Sequence, residues 1–465
     1  MTDKGRALWA LGIGSAAVFM VTLDNLVVST ALPTIRRDLH ASLQSLEWTV
    51  NAYTLTFAVL LLTGAALGDR FGRRRLLAIG VSLFTVASAA AALAPTATTL
   101  VIARAAQGVG GAIVMPLTLT VISAAVPKEK RTQALGVWGG VAGLAVALGP
   151  VVGGAIVDGI SWQWIFWLNV PFGIVLVPLI LRNLDESYGG VARKLDLKGL
   201  ALASAGLFGM VWGVVRSQEL GWTSGEVVFA IVAGAVGVTI FLFWEWSTEA
   251  PMLPLRLFAN RTFALANAST FLMYLGFFGV VFLMSQYLQY AHGYSPLGAG
   301  VRLLPWTLMP MLVAPIAGTL AARIGERPLL ASGLTLIAVS IFWFASVATA
   351  DTSYATILPA LVVGGVGCGL FWAPSASIVF ASVAEAEEGV ASGANNSIRE
   401  LGGVFGVAVL TSIFSRHGSF VSPEAFVRGM HPAFYVGGVL VAIAAATAFA
   451  LPRRSRTVAL EPAVA

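Results

Sequence analysis

Long apolar runs, separated by short polar segments, recur along the whole chain. Each run is long enough for a helix to cross the ~30 Å hydrocarbon core of a bilayer, which takes about 20 residues. The pattern therefore predicts fourteen membrane-spanning helices. Their predicted spans, in chain order, are 8–33, 46–68, 75–94, 98–123, 133–157, 163–182, 197–216, 226–245, 262–290, 297–322, 328–348, 354–380, 391–415 and 432–451.

The composition supports this prediction. Of the 465 residues, 57% are hydrophobic and 11% are charged, whereas a soluble domain carries about 25% charged residues. The chain is therefore predicted to be an all-α polytopic membrane protein. Its single cysteine, Cys368, lies in an apolar run, so an intrachain disulfide and a cysteine metal site are excluded, and no metal site is predicted.

Lysine and arginine residues are divided unevenly between the two sides of the predicted helices. The poorer side has only Arg36, Arg37, Arg416 and Arg428, with Arg216 near a helix end. Because positively charged loops stay in the cytoplasm, both termini are predicted to be cytoplasmic. A net charge of +6 would suggest nucleic acid as the partner of a soluble protein. Here the basic residues fall in short loops, so the lipid bilayer is the predicted partner, and no nucleic-acid binding is predicted.

The excess of arginine over lysine and the abundant alanine indicate a GC-rich bacterial genome. The predicted location is therefore the inner (plasma) membrane of a bacterial cell, which the chain crosses many times.

An internal repeat divides the chain into halves. The segment Gly318 to Leu330 is a weaker copy of the basic turn near residue 70, and it aligns Gly72 with Gly325 and Arg70 with Arg323. Two halves in the same orientation fit parallel repeats about an axis along the membrane normal. The predicted domains are an N-terminal six-helix bundle (1–185), a linker with helices 7 and 8 (186–255), a C-terminal six-helix bundle (256–453) and a cytoplasmic tail (454–465).

The basic turn itself, Ala65-Ala-Leu-Gly-Asp-Arg-Phe-Gly-Arg-Arg-Arg75, resembles the loop between helices 2 and 3 of major facilitator superfamily transporters. The resemblance rests on Asp69, Arg70, Gly72 and Arg73, and it implies a conformational latch. A purely topogenic charge cluster would account for the arginines but not for Asp69.

Two more helices resemble motifs of the same superfamily. Helix 4 has Arg104 and Gln107 in the expected places, and an arginine inside a membrane helix needs a partner or water. Helix 5 resembles the motif associated with antiporters. Its small residues permit close helix contact, and its proline bends the helix. The motif residues are Gly149, Pro150, Gly153 and Gly154.

Helix 1 contains Leu23-Asp24-Asn25-Leu26, which is similar to the helix 1 motif of the fourteen-helix drug:proton antiporters. Asp24 is the only acid well inside the apolar spans of the first half. Because burial favours the neutral form of a carboxyl group, Asp24 can take up a proton on one side and release it on the other. The alternative is a static ion pair. By helical rise, Asp24 and Arg104 lie at about 13 and 9 Å from the outer surface, so the two side chains could meet.

Two further segments resemble the same branch. One is Trp162 to Gly173, at the start of helix 6. The other is Asn395 to Gly406, in helix 13, which contains Asn396, Arg399 and Glu400. Glu400 is interpreted either as part of a structural pair or as a second proton site.

The resemblance extends from Asp24 to Gly406 and implies a major facilitator fold with two extra helices. It also implies a proton-coupled antiporter that exports amphipathic or hydrophobic small molecules by alternating access, with no cofactor besides the proton gradient. Asp24, Arg104 and Glu400 are the predicted proton-coupling residues. The predicted substrate cavity is lined by Asn25, Gln107, Tyr274 and Phe277, and the alternative for the two aromatic residues is that they face lipid or pack in the core.

Two alternatives remain. A dedicated exporter of one endogenous metabolite, antibiotic or lipid would share these motifs, because they indicate the transport mechanism and do not identify the transported compound. A membrane enzyme or receptor is the remote alternative. The loops carry no catalytic or nucleotide-binding signature, so the chain is not expected to be an enzyme. Small-molecule substrate and protons are the predicted partners, and the sequence leaves an adaptor protein or an oligomer open.

Overall fold

The computed structural model describes residues 3–127, 131–188, 196–248, 251, 253–383 and 388–452. This part of the chain is helical and contains no β-strand. The helices are α1 (Asp3–Asp38), α2 (Leu43–Phe71), α3 (Arg73–Ala92), α4 (Ala97–Ala125), α5 (Arg131–Gly159), α6 (Trp164–Asn183), α7 (Leu197–Leu220), α8 (Gly225–Ser247), α9 (Arg261–Gln286), α10 (Pro296–Ile324), α11 (Glu326–Val347), α12 (Tyr354–Ala381), α13 (Glu388–His417) and α14 (Pro423–Phe449). A single residue, Leu168, separates the first turn of α6 from the rest of that helix, and α9 continues as a π-helical turn over Tyr287–Ala291.

Thirteen of the described helices are long and apolar enough to cross a membrane. The first half of the other helix, α2, carries the buried polar residues Glu47 and Asn51, and the side chains at positions 62, 65, 66 and 69 in its apolar second half lie outside the described part of the structure. The all-helical membrane fold is thus confirmed. The count of fourteen crossings and the cytoplasmic termini stay predictions, and the predicted tail 454–465 lies outside the described residues.

The predicted start of the last helix, residue 432, is wrong by nine residues. In the structure α14 begins at Pro423, where proline occupies the first turn and the Ser422 hydroxyl accepts a hydrogen bond from the Ala425 N–H. Both features are typical of helix starts. This first part of α14 contains Glu424, Arg428 and His431, and these polar residues hide it from a search for apolar runs.

The helices pack in two groups that match the two halves of the repeat. In the first half, α1 packs on α5 and α4, while α4 also packs on α2 and α3. In the second half, α12 packs on α10 and α11, and α9 packs on α13 and α14. The halves meet where α2 contacts α13 and where α5 contacts α10. The domain boundaries given above remain predictions.

The two extra helices lie beside this core. Helix α8 packs mainly on α7, and α7 in turn contacts α2 and α13. Most of the apolar surface of α8 is exposed, including Phe229, Phe243 and Trp246. A hydrocarbon environment suits such a surface, which agrees with a position at the edge of the core.

The repeat is visible in the backbone at two glycines. Gly72 and Gly325 each end one helix and precede the next, and their φ angles are 104° and 87°. Side chains rarely tolerate this left-handed conformation. The two positions that the sequence alignment pairs therefore make the same sharp turn.

The two halves approach each other closely at the predicted outer end, which is the end that carries Arg36. A Cβ atom added at Gly154 would lie 2.5 Å from the Cα of Leu297, and one added at Gly300 would collide with the Pro150 carbonyl. These glycines therefore let α5 and α10 touch through their backbones.

Helices α1 and α9 also join at this end. The Gln289 side chain donates to the Thr30 carbonyl at 3.0 Å, and the Ser285 hydroxyl donates to the Ser29 carbonyl at 3.3 Å. Pro33 has no N–H, so it leaves the Ser29 carbonyl, four residues earlier, without its usual helical donor. Ser285 supplies a donor to that carbonyl, and the outer end is closed at this contact.

Candidate functional site

Asp24 and Arg104 meet inside the first half of the molecule. Asp24 lies on α1 and is 1% exposed, and Arg104 lies on α4 and is fully buried. The Arg104 Nη1 group donates to Asp24 Oδ2 at 2.5 Å. A hydrogen bond between two opposite charges is short and strong. The buried charges of Asp24 and Arg104 thus compensate each other.

Three polar side chains complete this ion pair. Gln107 accepts from Arg104 Nη1 at 2.9 Å and donates to Asp24 Oδ1 at 3.1 Å. Asn169 of α6 also donates to Asp24 Oδ1, at 2.7 Å. The Ser88 hydroxyl of α3 accepts from both amides, at 2.7 Å from Gln107 and 3.2 Å from Asn169. We call these five residues the Asp24 network.

Helix α2 holds the other side of the arginine. The Arg104 Nε group donates to the Thr49 carbonyl at 3.1 Å, and the guanidinium carbon lies 4.2 Å from the centre of the Tyr53 ring. The Arg104 Nη2 group has no hydrogen-bond partner among the described residues. Close packing of α2 and α4 makes this contact possible, because a Cβ at Gly108 would collide with the Tyr53 carbonyl.

The pairing has an energetic consequence. Removing one member of a buried ion pair leaves the other charge uncompensated and costs about 3–5 kcal/mol, although an intact pair need not stabilise the fold more than apolar residues would. Asp24 and Arg104 therefore cannot separate at this site unless a proton, water or another charge compensates each charge that is left.

In the second half, Arg399 and Glu400 pair with each other on α13. The Arg399 Nη2 and Nε groups donate to Glu400 Oε1 at 2.9 and 3.1 Å. The Arg399 side chain is 27% exposed and the Glu400 side chain 9%. The guanidinium also lies 5.8 Å from the centre of the Tyr274 ring. This pair is more accessible than the Asp24 network, and Asn396 lies one turn before Glu400 on the same helix.

Aromatic side chains from α9 form a cluster near that pair. Tyr274 stacks on Phe278 with ring centres 5.3 Å apart, and Phe277 lies 5.6 Å from Trp306 of α10. Phe371 of α12 is 6.4 Å from Tyr274. The predicted cavity residues Tyr274 and Phe277 are therefore mostly buried against other rings.

The remaining predicted cavity residues lie elsewhere. Asn25 is half-buried on α1 next to Asp24. Gln107 belongs to the Asp24 network, where its amide is occupied by Arg104, Asp24 and Ser88. The structure thus places Gln107 at the ion pair of the first half, whereas Tyr274 and Phe277 lie in the aromatic cluster of the second half.

The antiporter motif of α5 lies where α5 packs on α1 and α10. A Cβ at Gly149 would meet Leu26, and one at Gly153 would meet Val27. Pro150 and Gly154 face α10 at the outer contact described above. All four motif residues therefore lie at contacts between helices rather than in the Asp24 network.

The basic turn between α2 and α3 is held by an acid from the end of α6. Glu186 Oε1 accepts from the Arg74 backbone N–H at 2.9 Å, and Glu186 Oε2 lies 3.6 Å from the side-chain Nε groups of Arg74 and Arg75. A carboxylate is favoured at a helix N-terminus, where backbone N–H groups are free. Arg73 donates its N–H to the Ser187 carbonyl, Arg70 is exposed, and the side chain of Asp69 lies outside the described part of the structure.

Sequence reasoning named Asp24, Arg104 and Gln107 but missed the other members of the site. Asn169 lies in the segment Trp162 to Gly173, and an amide between apolar residues within a predicted membrane helix was the available signal. Ser88, Thr49 and Tyr53 gave no such signal, because serine and threonine are common in membrane helices and Thr49 contributes only its backbone carbonyl.

The chain is similar to known proteins in sequence and in fold. The chain is 35% identical to the multidrug resistance protein Stp of Mycobacterium tuberculosis (strain CDC 1551 / Oshkosh) over 409 residues, which cover 88% of this chain and 75% of Stp. It is 34% identical to the cephamycin export protein CmcT of Amycolatopsis lactamdurans over 464 residues, covering 98% and 95%. A crystal structure of the D-xylose–proton symporter has a TM-score of 0.69 at 14% identity, covering 96% of this chain and 98% of the symporter.

The family model described as Major Facilitator Superfamily matches residues 14–253 and 266–464. These two segments take in nearly all of both helical halves. The chain belongs to the Major Facilitator Superfamily.

Proposed function

We propose that this protein is a proton-coupled antiporter that exports amphipathic or hydrophobic small molecules, with Asp24 as its main proton site. The observation that carries the proposal is the Asp24 network. The Asp24 carboxyl group is buried in the membrane-spanning part of the protein, and Arg104, Gln107 and Asn169 all donate hydrogen bonds to it. An intramembrane acid with a specific partner is a functional site by default.

Alternating access gives this site its role. In the present state the outer end is closed, and Asp24 is paired with Arg104. Protonation of Asp24 would remove its charge and weaken its pairing with Arg104. The free energy of this conformational state would therefore depend on whether Asp24 has bound a proton. A difference in proton affinity between two states is what couples a proton gradient to a conformational change.

The cargo would occupy the space between the halves. Rings such as those of Tyr274 and Phe277 offer apolar, polarisable surface to organic molecules. Glu400 is the second candidate proton site, because it lies beside these rings and its partner Arg399 is 27% exposed. The proton gradient is the proposed energy source, without a cofactor, and transport rather than catalysis is the proposed activity.

The names of the relatives support export but differ on its breadth. Stp is named as a multidrug resistance protein and CmcT as a cephamycin export protein. We favour the multidrug function, and a dedicated exporter of one endogenous compound is the second candidate.

The test uses everted membrane vesicles with an imposed pH gradient and a panel of compounds that includes ethidium, a hydrophobic uncharged dye and a cephamycin. Uptake of several unrelated compounds, abolished by an uncoupler, is the expected result. Uptake of only one compound would favour the dedicated exporter. Uptake that ATP drives after the gradient has been collapsed would contradict proton coupling.

A further inference from the structure

Asn169 connects α6 to the buried acid of α1. It lies directly after Leu168, where the short first turn of α6 gives way to the rest of the helix. Its Nδ2 group is 2.7 Å from Asp24 Oδ1 and 3.2 Å from the Ser88 hydroxyl. Asn169 is itself 2% exposed. One amide thus links three helices at the site of the proposed proton exchange.

The hydrogen bonds around Asp24 have a fixed direction. Arg104 can only donate, so Gln107 must turn its oxygen toward Arg104 and its N–H₂ group toward Asp24. Asn169 likewise directs its Nδ2 group at Asp24 Oδ1 and at the Ser88 hydroxyl, which accepts from both amides. Asp24 therefore receives three N–H donors, and an ionised carboxylate, which only accepts, satisfies all three.

We infer that Asn169, oriented by Ser88, is a positioning residue that favours the ionised form of Asp24 in this state. The inference rests on the proposed function, because it gives Asn169 a role through the proton site. Hydrogen bonds to the charged form of an acid favour that form. Loss of the Asn169 amide would therefore let Asp24 keep its proton to a higher pH.

Protonation would reverse the bond between α1 and α6. A protonated carboxyl carries an O–H that needs an acceptor, and Arg104 has none to offer. Asn169 can offer its side-chain oxygen after its amide turns over, while the Ser88 hydroxyl rotates to donate. Proton binding at α1 would thus be transmitted to α6 as a change of hydrogen-bond direction, without a change of charge on α6.

Other charged or titratable groups around Asp24 do not replace this role. Arg104 comes from α4 and Tyr53 from α2, and Glu400 of α13 acts on the Tyr53 hydroxyl through a longer-range electrostatic interaction. In the contacts described above, α5, α6 and α9 meet α1 through neutral side chains or backbone groups. Asn169 is thus one of two neutral amides that can respond to the proton, and the other, Gln107, is held by Arg104.

Infrared difference spectroscopy of the full-length protein in lipid nanodiscs, titrated with pH, would test this inference without a substrate. The carbonyl band of a protonated carboxylic acid reports Asp24 if the band is lost in Asp24→Asn. In Asn169→Leu its midpoint should rise by about one pH unit or more, which is the effect expected for one lost hydrogen bond to a carboxylate. In Ser88→Ala the midpoint should rise by a smaller amount.

The matched control is Asn183→Leu, because Asn183 lies on the same helix and donates to the Leu179 carbonyl of that helix. Its midpoint should equal that of the wild type. A midpoint that stays or falls in both Asn169→Leu and Ser88→Ala, with the band still lost in Asp24→Asn, would overturn the role of Asn169 and leave Asp24 as the proton site. A titrating band that survives in Asp24→Asn would overturn the assignment of the proton site itself.

Discussion

Replacement of Arg104 by lysine tests whether the site needs a guanidinium or only a positive charge. Arg104 uses Nε for the Thr49 carbonyl and Nη1 for Asp24 and Gln107, and it lies on the Tyr53 ring. Lysine has a single nitrogen, which cannot occupy the positions of Nε and Nη1 together. Arg104→Lys should therefore keep the charge but lose the hydrogen bond to the Thr49 carbonyl or those to Asp24 and Gln107.

The size of the effect follows from the contacts that are lost. The bond from a charged donor to the Thr49 carbonyl is worth about 1.5–3 kcal/mol, and the contact with the Tyr53 ring about 0.5–2 kcal/mol. The closed state described here should thus lose about 2–5 kcal/mol of stabilisation. If the alternative state lacks these contacts, its population relative to this one rises by about 30-fold or more, since each 1.4 kcal/mol is a factor of ten.

Two measurements check this prediction. Ethidium efflux from proteoliposomes under a fixed pH gradient should fall at least about tenfold, and the thermal unfolding midpoint in detergent should fall as well. Arg37→Lys is the control, because Arg37 is exposed at the end of α1 and donates to Thr34 on its own helix. Wild-type efflux and stability in Arg104→Lys would show that only the charge matters and would refute the need for separate Nε and Nη1 donors.

Three further predictions concern the proton site, the outer contact and the extra helices. Asp24→Asn should abolish gradient-driven efflux while the protein still inserts and folds, because the amide keeps the shape but cannot titrate; wild-type efflux would make Asp24 structural, and Glu400→Gln would then be tested as the proton site. Gly300→Leu should block closure of the outer end, because even a Cβ there collides with the Pro150 carbonyl; the expected result is loss of efflux with increased labelling of an outer-end cysteine, and unchanged labelling would contradict the closed contact. Phe229→Ala on α8 should leave the range of exported compounds unchanged, because the side chain is 74% exposed on the outside of the core; crosslinking of cargo to α8 at mid-membrane depth would place this helix at the cavity instead.

The sequence by itself determined the class of fold. The thickness of the hydrocarbon core sets the length of an apolar helix, so the spans can be found without knowing their neighbours. It also determined the turn at Gly72 and its copy at Gly325, because both carry the same local pattern. The start of α14 was missed because its first turns are polar, and local hydropathy cannot detect a polar helix start.

The sequence also placed Asp24 and Arg104 at similar depths, because depth depends only on position along each helix. Only the tertiary structure decided how the site is completed. Asn169 is 145 residues from Asp24 in the chain, and Glu186 is 112 residues from Arg74. Such contacts depend on the rotation and packing of whole helices, which bring donors and acceptors together in a fixed direction. No local pattern records that direction, so the charges were found from the sequence and their partners from the structure.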